Sequence, residues 1–141
     1  MRKKIVIFSG AGLDAESGVK TFRDCEDGLW NNYKIEEVAT PKAWKDDKEK
    51  VLNFYNERRR EMLDVVPNEA HDIIASLEQE FEVVNITQNV SDLLERAGCS
   101  TVYHLHGSLT KARSTYLSGN PIQERLGVTN QPIDIGYEDI N

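Results

Sequence analysis

An α/β fold built on a parallel, Rossmann-like sheet is what this sequence predicts, and three observations carry it. The apolar run Ile5-Val6-Ile7-Phe8 passes directly into a glycine-rich loop, Gly10-Ala11-Gly12-Leu13-Asp14-Ala15-Glu16-Ser17-Gly18. That is where an open α/β sheet hands a buried strand to a helix and receives phosphates. A second β-branched run, Glu82 to Thr87, also ends in polar residues, and both runs have the composition of buried parallel strands. Between them lies a long helical stretch.

Taken in order, the first strand is Lys4 to Ser9. Pro41 to Asp46 opens a helix with a proline suited to a first helical position. Residues 49–65 continue it, with Val51, Leu52, Tyr55, Met62 and Leu63 at helical spacing. Residues 68–78 form another helix behind Pro67, whose stripe of Ala70, Ile73, Ile74 and Leu77 buries against the sheet. Residues 91–97 read as a short helix capped by Ser91 and stopped by Gly98. A third strand, residues 102–105, ends in His106-Gly107. From Ser108 onward Gly119, Pro121, Gly127, Pro132 and Gly136 punctuate a segment that reads as loop or as an incomplete module.

With 141 residues, 39% of them hydrophobic, the chain is one domain or part of one. A net charge of −7 disfavours nucleic acid, whose binding is driven by Lys and Arg on phosphates. Cys25 and Cys99 lack the spacing of a zinc site or of a disulfide scaffold, so a reducing cytoplasm is the expected setting. The basic start Met1-Arg2-Lys3-Lys4 precedes an apolar run too short for a signal-peptide core. No stretch approaches the roughly 20 apolar residues of a membrane span.

Taken alone, Gly-Ala-Gly after a strand suits a plain tight turn as well as a phosphate cradle. The loop, however, continues through Glu16-Ser17-Gly18-Val19 into Thr21-Phe22-Arg23. It is followed by Gly28-Leu29-Trp30, by Thr87-Gln88-Asn89-Val90 and by His104-Leu105-His106-Gly107-Ser108. In this order, over residues 4–113, the blocks resemble the sirtuin family, the NAD-dependent protein-lysine deacylases, in their bacterial form. The resemblance implies NAD as co-substrate, acylated lysine on proteins as partner, and nicotinamide with O-acyl-ADP-ribose as products. It implies that Gly10, Ala11 and Gly12 approach the cofactor phosphates, and that Phe22 and Arg23 lie on a loop closing over the nicotinamide ribose. Gln88 and Asn89 would reach the ribose and nicotinamide, Asp14 and Ser91 would line the nicotinamide pocket, and Glu16 and Trp30 would belong to the same cofactor-binding set.

His106 would be the catalytic base. Breaking the nicotinamide–ribose bond needs the acyl oxygen as nucleophile and then a base for a ribose hydroxyl. A histidine, with its ordinary pKa of about 6.5, suits that step. His104, two residues back, and His71 read as structural. Two other activities fit the same motifs: a sirtuin-like NAD glycohydrolase or ADP-ribosyltransferase, and a non-catalytic module binding NAD or ADP-ribose.

Tyr55 and Arg58 are three apart on the inserted helix and face the same way. In sirtuins this Tyr-x-x-Arg pattern is associated with succinyl- or malonyl-lysine, whose carboxylate an arginine fork matches. The alternative is an amphipathic helix with a basic Arg58-Arg59-Arg60 run.

The chain departs from the family pattern at four places. Asp14 stands where the family has serine and Ser91 where it has aspartate, a reciprocal exchange that would keep one carboxylate and one hydroxyl in the same small volume; the alternative for Ser91 is a helix N-cap. Leu94 replaces a histidine as a packing change. Ser114 and Leu117 occupy the places of the first zinc cysteine pair, so no Cys₄ zinc site is expected. No Gly-Thr-Ser strand-loop block follows Ser108. The resemblance therefore implies a partial, N-terminal sirtuin domain. Residues 1–32 and 66–107 would be its nucleotide-binding part, 33–65 a helical insertion and 108–141 the remnant of the small domain. The missing C-terminal half would be a partner, and without it a sheet edge and a sheet face would lie open.

Overall fold

The computed structural model describes residues 2–20, 29–30, 33–113 and 123–125, with backbone alone at 29–30, 112–113 and 123–125. Along the chain run β1 (Lys4–Ser9), α1 (Gly12–Ala15), β2 (Leu29–Trp30), β3 (Tyr33–Lys34), α2 (Ile35–Val38), α3 (Pro41–Asp46) and α4 (Lys48–Glu61). Then follow α5 (Glu69–Ser76), a 3-10 turn at Leu77–Gln79, β4 (Glu82–Thr87), α6 (Leu93–Arg96), β5 (Val102–His104), β6 (Lys111–Arg113) and β7 (Gln123–Arg125). They divide into two compact units, residues 1–21 with 65–109 and residues 22–64 with 110–141.

The first unit is built on a three-stranded sheet in the order β1-β4-β5. Both pairings are parallel, Lys4 opposite Glu82 through Ser9 opposite Thr87, and Asn85 opposite Val102 through Thr87 opposite His104. Side chains alternate across a strand, so Val83, Asn85 and Thr87 point to one face, where all three are buried. Among the described residues, Leu93, Leu94, Cys99 and Leu109 are further buried apolar residues of this unit. On the opposite face Val6, Phe8 and Tyr103 are open to solvent, at 58%, 63% and 60% exposure. Cys99 is not a reactive thiol: burial, with Glu78 and Glu95 nearby, pushes it up to about 11.

The second unit packs helices around Phe54, which is fully buried with Val38, Ala43, Val51 and Leu52 around it in the core. Tyr33 meets the Phe54 ring edge-on at 5.5 Å between centroids. Helix α3 begins where its sequence says it should, with Pro41 at the first turn and Thr40 Oγ1 accepting from the Ala43 amide at 3.1 Å. Asp47 caps α4 in the same way, from the Lys50 amide at 2.9 Å. This unit also holds two short antiparallel pairs, β2 with β3 and β6 with β7.

Several sequence expectations are corrected. Helix α4 stops at Glu61 rather than 65, with Met62 as its C-cap, and Leu63 is exposed: apolar spacing at Met62 and Leu63 does not extend a helix where Leu63 has no core to bury against. The third strand ends at His104, one residue early. Ser91 is not an N-cap: α6 starts at Leu93 behind Asp92, and the Ser91 hydroxyl has a stronger acceptor, described below. Gly98 does end that helix, at φ +106°, a left-handed conformation suited to glycine. Among the described residues no helix is long and apolar enough to cross a membrane. Among them, too, no cluster of three or more His, Cys, Asp or Glu could hold a metal ion. Ser114 and Leu117 lie outside the described residues.

Candidate functional site

In an open parallel sheet the ligand crevice lies beyond the carboxyl ends of the strands. The register places Ser9 of β1 opposite Thr87 of β4, so the segments that follow, Gly10 onward and Gln88 onward, leave the sheet side by side. The Gln88 amide donates to Ser9 O at 3.0 Å and the Leu105 amide to Thr87 O at 2.9 Å. Three strand ends are thereby aligned at one rim.

The two glycines of the loop at this rim differ in how closely they are packed. A Cβ on Gly10 would stand 3.2 Å from Gln88 Oε1, whereas one on Gly12 would meet nothing within 4 Å. Gly12 therefore fronts open space, and Gly10 lets the loop lie against Gln88. The backbone turns through Leu13 N–H donating to Gly10 O at 2.9 Å and Asp14 N–H to Ala11 O at 3.2 Å. Both Gly10→Ala and Gly12→Ala are expected to leave stability within about 1 kcal/mol, since the exposed Gln88 side chain can swing aside. Any loss of nucleotide affinity, measured by calorimetry beside a thermal melt, then reports the loop surface and not the fold.

Asn89 is pinned at three atoms. Its Nδ2 donates to Gly10 O at 3.0 Å, its amide to Thr87 Oγ1 at 3.0 Å, and its carbonyl oxygen takes a hydrogen bond from His104 Nδ1 at 2.7 Å. The other nitrogen of His104, Nε2, lies 2.8 Å from Glu95 Oε1. Both ring nitrogens thus face oxygen atoms. His106 contrasts with it at every point. It sits in the turn beyond β5, is exposed, and its ring has no hydrogen bond or ion pair among the described residues. Gly107 follows at φ +88°, a turn conformation that favours glycine. His104 is thus held at both ring nitrogens, whereas the His106 ring is open to solvent.

Behind the rim lies a buried polar cluster. Ser91 Oγ donates to Asp14 Oδ2 at 2.6 Å, and His71 Nε2 lies 3.1 Å from Asp14 Oδ1. Asp14, Ser91 and His71 are 4%, 7% and 0% exposed. The exchanged pair singled out in the sequence is therefore in direct contact, and His71 is a third member that the sequence did not reveal. A signal for it existed: Asn68 followed three residues later by a hydrogen-bonding side chain is a capping box, and both of its bonds are made.

Of the sequence-derived site residues, Gly10, Ala11, Gly12, Asp14, Gln88, Asn89, Ser91 and His106 all belong to the first unit. Glu16 is there too, exposed beyond α1. Tyr55, Arg58 and the Trp30 backbone belong to the second unit. On α4 Arg58 is buried, its Nη2 2.7 Å from Glu61 Oε1 and its guanidinium 5.1 Å from the centre of the Phe54 ring. Burial raises the Tyr55 phenol above its ordinary range, with Arg59 opposing in part, which keeps it a neutral donor. Phe22 and Arg23 lie outside the described residues.

A family model described as the Sir2 family matches residues 10–129. A protein of Helicobacter pylori named NAD-dependent protein deacylase is 57% identical over 112 residues, covering 79% of this chain and 48% of the relative. Its namesake from Bacteroides thetaiotaomicron is 51% identical over 119 residues, covering 84% of this chain and 50% of the relative. Among solved structures, a Sir2 homolog in complex with NAD superposes with a TM-score of 0.73 at 40% identity, covering 98% of this chain and 53% of that one. The chain spans about half the length of the curated relatives it matches.

Proposed function

The chain belongs to the Sir2 family, and from that premise we propose that it supplies the nicotinamide-facing part of an NAD-dependent protein-lysine deacylase. The observation that carries the reading is the rim of the parallel sheet, where the open Gly10–Gly12 loop lies against Gln88 and Asn89 beside an exposed histidine without a partner among the described residues. Gly10, Ala11 and Gly12 leave room for a diphosphate to approach the backbone. Gln88 and Asn89 face the ribose end, with Asn89 fixed in advance by its three hydrogen bonds. His106 takes the proton of a ribose hydroxyl, a role that needs a free ring nitrogen. Bound NAD supplies the glycosidic bond whose cleavage drives removal of the acyl group. Glu16, Phe22, Arg23 and Trp30 complete the cofactor set by resemblance, and the setting is cytoplasmic.

The test is product analysis with NAD and an acyl-lysine peptide. Nicotinamide and O-acyl-ADP-ribose formed together support the deacylase. Free ADP-ribose without peptide turnover would make the chain a glycohydrolase, and binding without nicotinamide release a non-catalytic module.

The remaining half of the domain is the proposed partner. The apolar face carrying Val6, Phe8 and Tyr103 is continuous across the sheet through Ile86, which pairs with both Phe8 and Tyr103. Uncovered apolar area of this kind marks an interaction surface. Supplying the C-terminal half of a relative in trans is expected to raise turnover, and Phe8→Glu to abolish that gain.

For the acyl group, Tyr55 and Arg58 favour an acidic acyl chain. Glu61, more than half exposed, sets a carboxylate on Arg58 Nη2, and a succinyl or malonyl carboxylate would make the same kind of pair. Arg58→Met is expected to lower desuccinylation about 10- to 100-fold, the worth of a charged hydrogen bond, with deacetylation little changed. Equal loss of both activities would reject the acidic preference.

A further inference from the structure

Arg58 is a buried cation on α4. Its side chain is 8% exposed, and its guanidinium lies 5.1 Å from the centre of the fully buried Phe54 ring. Tyr55 meets the same ring edge-on at 5.2 Å between centroids, so one aromatic ring gathers the two side chains assigned above to the acyl group. A buried charge needs an opposite charge beside it. Helix α4 supplies one from its own last turn: Glu61 Oε1 stands 2.7 Å from Arg58 Nη2, three residues on and on the same face. Glu57 Oε2 is 3.8 Å from the same nitrogen, near enough to add charge and too far for a hydrogen bond.

The two ends of the Arg58–Glu61 pair differ in freedom. Arg58 is enclosed, whereas the Glu61 side chain is 55% exposed and can turn into water by a change of rotamer. Glu61 is also the last residue of α4, at the end of the helix where the backbone carbonyls disfavour an anion. Among the described residues, the group that draws its carboxylate inward is Arg58. Arg59, next in sequence, is turned instead to Asn56 Oδ1, 2.9 Å from its Nη1. An acidic acyl group arriving at Arg58 Nη2 therefore meets a position already filled. With carboxylates at 2.7 and 3.8 Å from that nitrogen, a third negative charge is repelled unless Glu61 leaves. An acetyl group brings no charge and faces no such contest.

We propose that Glu61 is a specificity-determining residue for the acyl group: by keeping a carboxylate on Arg58 Nη2 it lowers affinity for succinyl- and malonyl-lysine relative to acetyl-lysine, and acidic acyl groups bind only in exchange for it. The assignment of Tyr55 and Arg58 to the acyl group rests on the function proposed above; the competition for Arg58 does not.

Calorimetric titration of the full chain with one peptide, carrying either succinyl-lysine or acetyl-lysine, reads the ratio of the two affinities. In Glu61→Gln, which keeps the shape of the side chain and removes its charge, the ratio moves toward succinyl-lysine by about fivefold, the upper range for an ion pair with one exposed member. In an Arg58→Met background the same change moves it no further. An unmoved ratio, a shift toward acetyl-lysine, or a shift that persists without Arg58 each overturn the proposal. So does an equal shift in Glu49→Gln, which takes one charge from the first turn of the same helix. Succinate alone is the second probe, followed by NMR at the Arg58 side-chain Nε–H signal, and its midpoint falls about fivefold in Glu61→Gln. Failure of both peptides to bind any of the proteins would remove the acyl-lysine reading. The succinate titration would then decide the competition, which equal midpoints or the absence of any response overturn.

Discussion

Ser91→Asp is expected to be the most damaging single change at the strand-end rim, costing on the order of 3–5 kcal/mol. It sets a second carboxylate against Asp14 where the Ser91 hydroxyl now donates at 2.6 Å, inside a volume where both residues are under 10% exposed. Asp14→Ser alone is milder, about 1–3 kcal/mol, because it leaves the His71 and Ser91 donors without their shared acceptor. Combined in one chain, the two changes restore a single carboxylate and a single hydroxyl, and stability is expected to return to within about 1 kcal/mol of the wild type. Denaturant melts of the four proteins measure the coupling. Additive losses in the double variant would show that the two positions are not exchangeable.

His106→Ala is expected to lower turnover by about 10²- to 10⁴-fold while leaving the melting temperature and NAD affinity where they are. The separation follows from the surroundings of His106: it is exposed and its ring makes no bond among the described residues, so nothing is unpaired by removing it. His104→Ala provides the contrast, since it removes one hydrogen bond from the Asn89 carbonyl and one from Glu95 at once and is expected to lower stability and affinity together. If His106→Ala kept turnover within tenfold of the wild type, the base would have to be sought elsewhere.

The sequence made the outer frame of the fold legible wherever a pattern was local. The runs Lys4–Ser9 and Glu82–Thr87 became strands at those bounds, because four or more β-branched and apolar residues between polar flanks leave few alternatives. Pro41 behind Thr40 and Gly98 behind α6 marked helix ends for stereochemical reasons that hold in any context. Elements of two to four residues, β2, β3 and α2, carried no periodicity to read. Ser91 was legible as a cap only so long as its nearest acceptor was taken to be local. The carboxylate that captures it is 77 residues away in sequence, and the same distance problem hid His71, whose partner is 57 residues away. The Sir2 motifs located the rim, but the bonds that stiffen it are tertiary and were invisible to spacing.

The parallel pairing of β1 with β4 also governs how the chain is made. Lys4 finds its partner only in Glu82, and at about 5–20 residues per second roughly 4–16 s of synthesis separate the two. Until then the glycine loop has neither Gln88 nor Asn89 to lie against, and Val6 and Phe8 are exposed on an unpaired strand. Non-local parallel pairing is slow to form because loop closure costs entropy before any contact repays it. A nascent chain arrested before β4 therefore lacks the strand-end rim altogether and presents β1 as an unpaired apolar strand.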